Sequence, residues 1–200
     1  MPLLPGLTFE EQYWTAGGSI GGYDAYDETC SPYNGSMPAL AQEWVDRAAA
    51  TGASLTSKTI VIVGCGFGYS LGYLRQKGVN AFGIDISQWA YDHAPAEAKP
   101  YMVRGDARLS EAWTSVRALA GFTRGNQRFD VAVSEDMLCC LSDADAVTVH
   151  GRMTTNSRIV LHLNDEAANL AQWYNYHTNA EWKAILGTGK FINRQTGAVT

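Results

Sequence analysis

The chain has 200 residues, 46% of them hydrophobic and 18% charged, with a net charge of −5. That is enough chain for one domain with a sizeable core, and the acidic balance argues against a general nucleic-acid binder. No apolar run reaches the roughly 18 residues of a membrane span, and the start, MPLLPGLTFEEQYW, lacks the basic and long apolar regions of a signal peptide.

Four cysteines, Cys30, Cys65, Cys139 and Cys140, form neither a C-x-x-C pair nor a Cys/His cluster. They read as reduced thiols of a cytoplasmic chain, and no metal site is expected. Charge is uneven along the sequence. Residues 1–50 carry seven acids against Arg47, whereas 104–128 carry five arginines against Asp106 and Glu111. That basic stretch reads first as a solvated helix face and loop, with a phosphate-binding edge as the sharper alternative.

Residues 1–57 form an N-terminal extension of the same domain. It contains a Gly/Tyr/Asp-rich loop at 17–35 and an amphipathic helix at about 37–50. From 58 to 200 a strand–helix rhythm takes over. TIVIV (59–63) is almost wholly β-branched, as a strand buried on both faces is. A helix follows at about 68–77, closed by Gly78. VNAFGID (79–85) predicts a second strand, and SQWAYDHA (87–94) a short helix with Ser87 as N-cap and Pro95 as stop. A third strand falls within 100–107, a helix at 110–121 and a fourth strand at 129–135. A helix is expected at 143–152, a fifth strand at 157–164, one long or broken helix over 166–186, and a final strand at 191–194. Strands alternating with helices predict an α/β fold: a doubly wound, mostly parallel sheet with helices on both faces.

Between the first strand and its helix lies VGCGFGYS, with glycine at 64, 66 and 68. A glycine-rich turn there lets a ligand approach the backbone at a helix N-terminus. Asp85 ends the second strand about 20 residues on, where an acid takes both hydroxyls of a ribose. The alternative for Asp85 is a cap on the 87–94 helix. A dinucleotide fingerprint, G-x-G-x-x-G, would need glycine at Tyr69, which disfavours a nicotinamide or flavin cofactor.

VIVGCGFGYS, then GIDIS, then RGDA, then FDVAVSEDMLCCL resembles the ordered motifs of Rossmann-like, class I S-adenosylmethionine-dependent methyltransferases, over about residues 58–165. The resemblance implies S-adenosyl-L-methionine as cofactor. Gly64, Cys65, Gly66 and Gly68 would line its methionine and ribose. Asp85 would hold the ribose hydroxyls, and Ile86 would pack on the adenine. Asp106 would accept from the adenine amine, with Ala107 donating through its backbone, and Ser134 would lie near the methionine amine. The segment YWTAGGSIGGYDAY (13–26) is similar to one that folds over the cofactor in some small members, with Tyr13 and Trp14 covering the sulfonium.

The chain departs from the family at three places. Ile62 stands where an acid often precedes the glycines. SEDM replaces the Asp/Asn-Pro-Pro-Tyr/Phe motif of amine-methylating DNA enzymes, and no Pro-Cys pair serves cytosine C5. The closing antiparallel pair after the fifth strand is expected to be shortened, rearranged or incomplete. The implied reaction is methyl transfer to a small-molecule, sugar or peptide acceptor, with Glu135 as first choice for a general base ahead of Asp136, Asn164 and Asp165. Two alternatives remain: a cofactor-binding regulatory or structural protein without turnover, and a nucleic-acid methyltransferase.

Overall fold

The computed structural model describes residues 9–15, 26, 58–164, 175, 177–193 and 196–200. The loop expected at 17–35, the helix at 37–50 and Asp165 lie outside these residues. So does most of the first half of the helix expected at 166–186.

A short helix, α1 (Glu11–Thr15), precedes the alternating core. The core runs β1 (Thr59–Val63), α2 (Tyr69–Gln76), β2 (Asn80–Asp85), α3 (Gln88–Asp92), β3 (Met102–Arg104), α4 (Ser110–Leu119) and β4 (Phe129–Glu135). It continues through α5 (Asp143–Asn156), β5 (Ser157–Asn164), α6 (Asn179–Leu186) and β6 (Lys190–Asn193). One six-stranded sheet results, in the order β3-β2-β1-β4-β5-β6, with every adjacent pair parallel.

Strand residues alternate between two apolar layers, as the pleat requires. Ile60, Ile62, Val131 and Val133 meet Leu71 and Leu74 of α2 on one side. Val61, Val63 and Ala132 meet Trp113 and Val116 of α4 and Val149 and Met153 of α5 on the other. Burial on both faces explains the unbroken β-branched runs of β1. It also puts the strands' C-terminal ends along one edge. The order reverses between β1 and β4, and open α/β sheets bind ligands at such a switch point.

Of the helix expected over 166–186, long or broken, the described part is α6, from Asn179. Thr178 caps it, accepting from Glu181 N while the Glu181 carboxylate accepts from Thr178 N at 2.8 Å. This capping box is legible as T-N-A-E, and the broader apolar pattern obscured it. Thr178→Ala should cost about 1 kcal/mol in denaturant unfolding; an unchanged midpoint would remove the cap from the account. The end of the sheet is rearranged, one of the outcomes expected from the sequence. The final strand expected at 191–194 is present as β6, parallel to β5. The chain then turns, and Ala198–Thr200 runs back antiparallel beside β6 through the Ile192–Val199 bridge and the Thr200 N–Phe191 O bond of 2.8 Å.

Candidate active site

The glycine turn is left-handed at three alternate positions: φ is +74° at Gly64, +55° at Gly66 and +78° at Gly68. Side chains resist that conformation, and space forbids them as well. A Cβ at 64 would lie 2.5 Å from Met137 Cγ, and one at 68 would lie 2.7 Å from Met102 Sδ. Gly68 ends the turn as the N-cap of α2.

Asp85, at the C-terminal end of β2, is bonded directly into this turn. One carboxylate oxygen accepts Gly66 N at 2.7 Å and the other accepts Ser87 N at 2.9 Å. A single side chain therefore ties the glycine turn to the start of α3. A carboxylate has about four acceptor positions, so these donors, with Ile86 N, leave capacity for a ribose hydroxyl. Burial raises this carboxyl from its ordinary 3.8 to about 6, against the lowering effect of its backbone donors. The capping alternative for Asp85 is partly realised, but the side-chain cap of α3 is Ser87, whose Oγ accepts Ala90 N at 2.9 Å. Ile86, next to Asp85, is 40% exposed, so it is not core and offers an apolar face at the edge.

An aromatic wall stands over the turn. Trp14 and Tyr26 come within 3.4 and 3.3 Å of the Cβ position at Gly66. Trp14 packs against Tyr26 and Phe67, and its indole N–H donates to Ser87 Oγ at 3.0 Å. Glu10 anchors the same segment: its carboxylate accepts Gln88 N at 3.2 Å and Trp89 N at 2.9 Å, capping α3 from outside. Tyr13, expected from the sequence to cover the sulfonium together with Trp14, packs edge-on between Phe9 and Trp14, one layer back from the turn. The sequence reading missed Glu10, Tyr26 and Phe67 here, and it saw Ser87 only as a cap.

The remaining expected residues fall on the same edge with different commitments. Cys65 turns its thiol onto β2, where a Cβ at Gly83 would meet Sγ at 2.6 Å; burial pushes that thiol up. Only the backbone of Cys65 is left to line a ligand. Both oxygens of Asp106 are engaged by Arg108, at 2.7 to 3.0 Å, and this pairing lowers the carboxyl. To receive an adenine amine, Asp106 must draw it in at Arg108's expense. The Ala107 carbonyl accepts the Trp113 indole N–H at 2.8 Å.

Ser134 is fully buried, and its Oγ meets His162 Nδ1 at 2.7 Å, so its hydroxyl turns inward rather than to the edge. Glu135, half-buried, follows it, beyond the register pair Val63–Ser134 and beside Gly64. Asp136 holds φ +45°, a conformation rare outside glycine, and so swings Met137 over Gly64. Asn164 is spent on packing, donating to Asn179 Oδ1 at 2.8 Å.

Behind Ser134 runs a buried chain: His162 Nε2 to His150 Nδ1 at 3.0 Å, then His150 Nε2 to Thr188 Oγ1 at 2.9 Å. Burial, with His150 alongside, depresses His162 from 6.5 to about 3, so it is a neutral, hydrogen-bonded core histidine. The two buried groups oppose each other on acidification. His162 is depressed, so its contribution is present above pH 6.5 and is lost as pH falls toward 3. Asp85 is raised, so its contribution is full below 3.8 and is lost as pH rises through 6. Replacing Asp85 by Asn removes the second effect alone. Its unfolding free energy should fall more steeply than wild type between pH 6 and 4, by about 1.4 kcal/mol per pH unit at most. Parallel curves would refute the shift at Asp85.

The sheet order alone would suit a dinucleotide enzyme as well. The model of a family described as a methyltransferase domain matches residues 33–183.

The chain belongs to the methyltransferase-domain family.

Its fold is the Rossmann-like one of class I methyltransferases. The magnesium protoporphyrin IX methyltransferase of Synechocystis PCC 6803 with bound S-adenosylmethionine shares the fold at 19% identity and TM-score 0.53. That match covers 75% of this chain and 66% of the other. The same enzyme with bound S-adenosylhomocysteine aligns at 17% identity over 78% of each chain, TM-score 0.54. A SAM-dependent methyltransferase of Archaeoglobus fulgidus gives 14% identity, 78% and 69% coverage and TM-score 0.57. No curated protein matches the chain. The residues present fit S-adenosylmethionine: a carboxylate with acceptor capacity left, a turn bare of side chains and an exposed isoleucine lie on one edge.

Proposed function

We propose that this chain moves a methyl group from S-adenosylmethionine to a small-molecule acceptor at the edge formed by the ends of β1, β2 and β4. The cofactor supplies an activated methyl on a sulfonium. The observation that carries the reading is the 2.7 Å bond between Gly66 N and Asp85, which presents a bare turn and a diol acceptor as one unit. Asp85 holds the ribose hydroxyls, the backbone of Gly64, Cys65 and Gly66 faces the methionine, and Ile86 covers the adenine. Gly68 fixes the turn from its far end. Trp14 and Tyr26 wall off water, with Tyr13 bracing Trp14. Ala107 and Asp106 border the adenine side. Ser134 contributes through its carbonyl, its hydroxyl being taken.

The protein's main task is alignment, which is worth about 7–11 kcal/mol for well-oriented reactants. Glu135, beside Gly64, takes the acceptor's proton where the acceptor has one to lose, for about 10²–10⁴-fold. Charge supports a small acceptor. Glu10 and Glu135 flank this edge; Arg104 and Arg108 lie on its adenine side, Arg108 being paired with Asp106, and Arg117 and Arg128 lie at the strands' opposite ends. A phosphate backbone needs clustered cations near the chemistry.

The test is labelled-methyl transfer into pools of small metabolites, sugars, peptides and nucleic acids, followed by formation of S-adenosylhomocysteine. Label in the small-molecule pool, reduced by Glu135→Gln, is expected. Label confined to nucleic acid would overturn the acceptor class. Tight cofactor binding with no label anywhere would favour the reading without turnover.

A further inference from the structure

We propose that a cleft at the sheet's opposite edge binds a small phosphate-bearing molecule. It opens where β4 and β5 begin, with a cavity volume of about 500 Å³, and is lined by Arg117, Asn126, Arg128, Thr155, Asn156 and Arg158. None of these is an acid, in a chain whose net charge is −5.

The loop after α4 is built to hold the first guanidinium still. Arg117 donates to the carbonyls of Gln127 at 2.5 Å, Gly125 at 3.1 Å and Arg124 at 3.2 Å. Gln127 Oε1 locks the loop, accepting Thr123 N and Arg124 N at 2.8 and 2.7 Å. The Arg117 Nε–H takes no part in these bonds.

The other two guanidiniums come from strand starts that the register brings side by side. Phe129 pairs with Ser157, so Arg128 precedes that pair and Arg158 follows it. Arg128 is exposed and has no carboxylate partner among the described residues. Arg158 is 70% exposed and reaches only Asp130, at 3.7 Å; the other oxygen of Asp130 accepts Thr59 N at 2.9 Å. Three cations thus share part of one carboxylate. Guanidinium groups match phosphate oxygens in charge and in fork geometry, and Asn126, Asn156 and Thr155 add neutral polar groups.

A volume of about 500 Å³ suits a small ligand. The cleft is also separate from the methyl-transfer edge: β4 spans seven residues, about 20 Å, between Arg128 and Asp136.

Calorimetry on the full chain tests this with inorganic phosphate, pyrophosphate and ribose 5-phosphate, which separate the free anion from the sugar phosphate. At low salt, at least one should bind at one saturable site, without competition from S-adenosylhomocysteine. Arg128→Gln/Arg158→Gln should weaken that binding tenfold or more, and leave S-adenosylhomocysteine affinity and thermal midpoint unchanged. The single variant Arg128→Gln serves if the double variant unfolds early. No saturable binding at millimolar ligand, equal affinity in the variants, or affinity that appears only with oligonucleotides and grows with their length would overturn the proposal. The separate titration with S-adenosylhomocysteine keeps this outcome distinct from the methyl-transfer reading.

Discussion

Asp85→Ala should weaken S-adenosylmethionine binding about 10- to 150-fold, the equivalent of roughly 1.5–3 kcal/mol for charge-assisted hydrogen bonds. From the sequence alone, the fold of the mutant is expected to persist. The structure adds a stability cost. The carboxylate also receives Gly66 N and Ser87 N, so truncation strands two donors at about 1–3 kcal/mol each. Asp85→Asn keeps one acceptor oxygen and should fall between. Because burial raises this carboxyl to about 6, the ionised acceptor is lost on acidification, and wild-type affinity should drop as pH falls from 7 to 5. The Asn variant should lose that dependence. A folded Ala variant with unchanged affinity would remove the ribose assignment.

Trp14→Ala should have the second large effect. A buried tryptophan truncated to alanine costs about 3–5 kcal/mol, and this ring is 6% exposed. The loss falls on the docking of the N-terminal segment, because the ring's partners include Phe9, Tyr13, Tyr26, Phe67 and Ser87. With Trp14 gone, Glu10 is no longer held over α3. Hydrogen exchange at the amides of Gln88 and Trp89 should then speed up, while β1 and β4 amides stay protected. Cofactor affinity should fall with it. Trp14→Phe keeps a ring against Phe67 but loses the bond to Ser87, which retains Ala90 N as donor, so it should be milder. Unchanged exchange at 88 and 89 in the Ala variant would show that the wall is not held by Trp14.

Much of this was legible because the controlling forces are local. The β-branched run TIVIV and the glycines at 64, 66 and 68 announce a buried parallel strand and a turn with positive φ, whatever surrounds them. Ser87 and Gly78 mark helix ends by the same local logic. The misses are long-range. Ser134 sits at the expected place in β4, but its direction is set by His162, 28 residues away. Asp106 is placed as expected, and Arg108 claims its charge. Tyr13 and Trp14 are adjacent in sequence, yet only the second meets the turn, because helix geometry sends neighbours to different faces. Glu10 as a cap for α3 spans nearly 80 residues, and no spacing rule finds it.

The most direct test of the central claim is calorimetric titration of the intact protein with S-adenosylhomocysteine, alongside NAD, for wild type and Asp85→Ala at pH 7. One S-adenosylhomocysteine site per chain is expected in the wild type, at least tenfold weaker in the variant, and no binding of NAD. Binding of NAD with no heat from S-adenosylhomocysteine would contradict it.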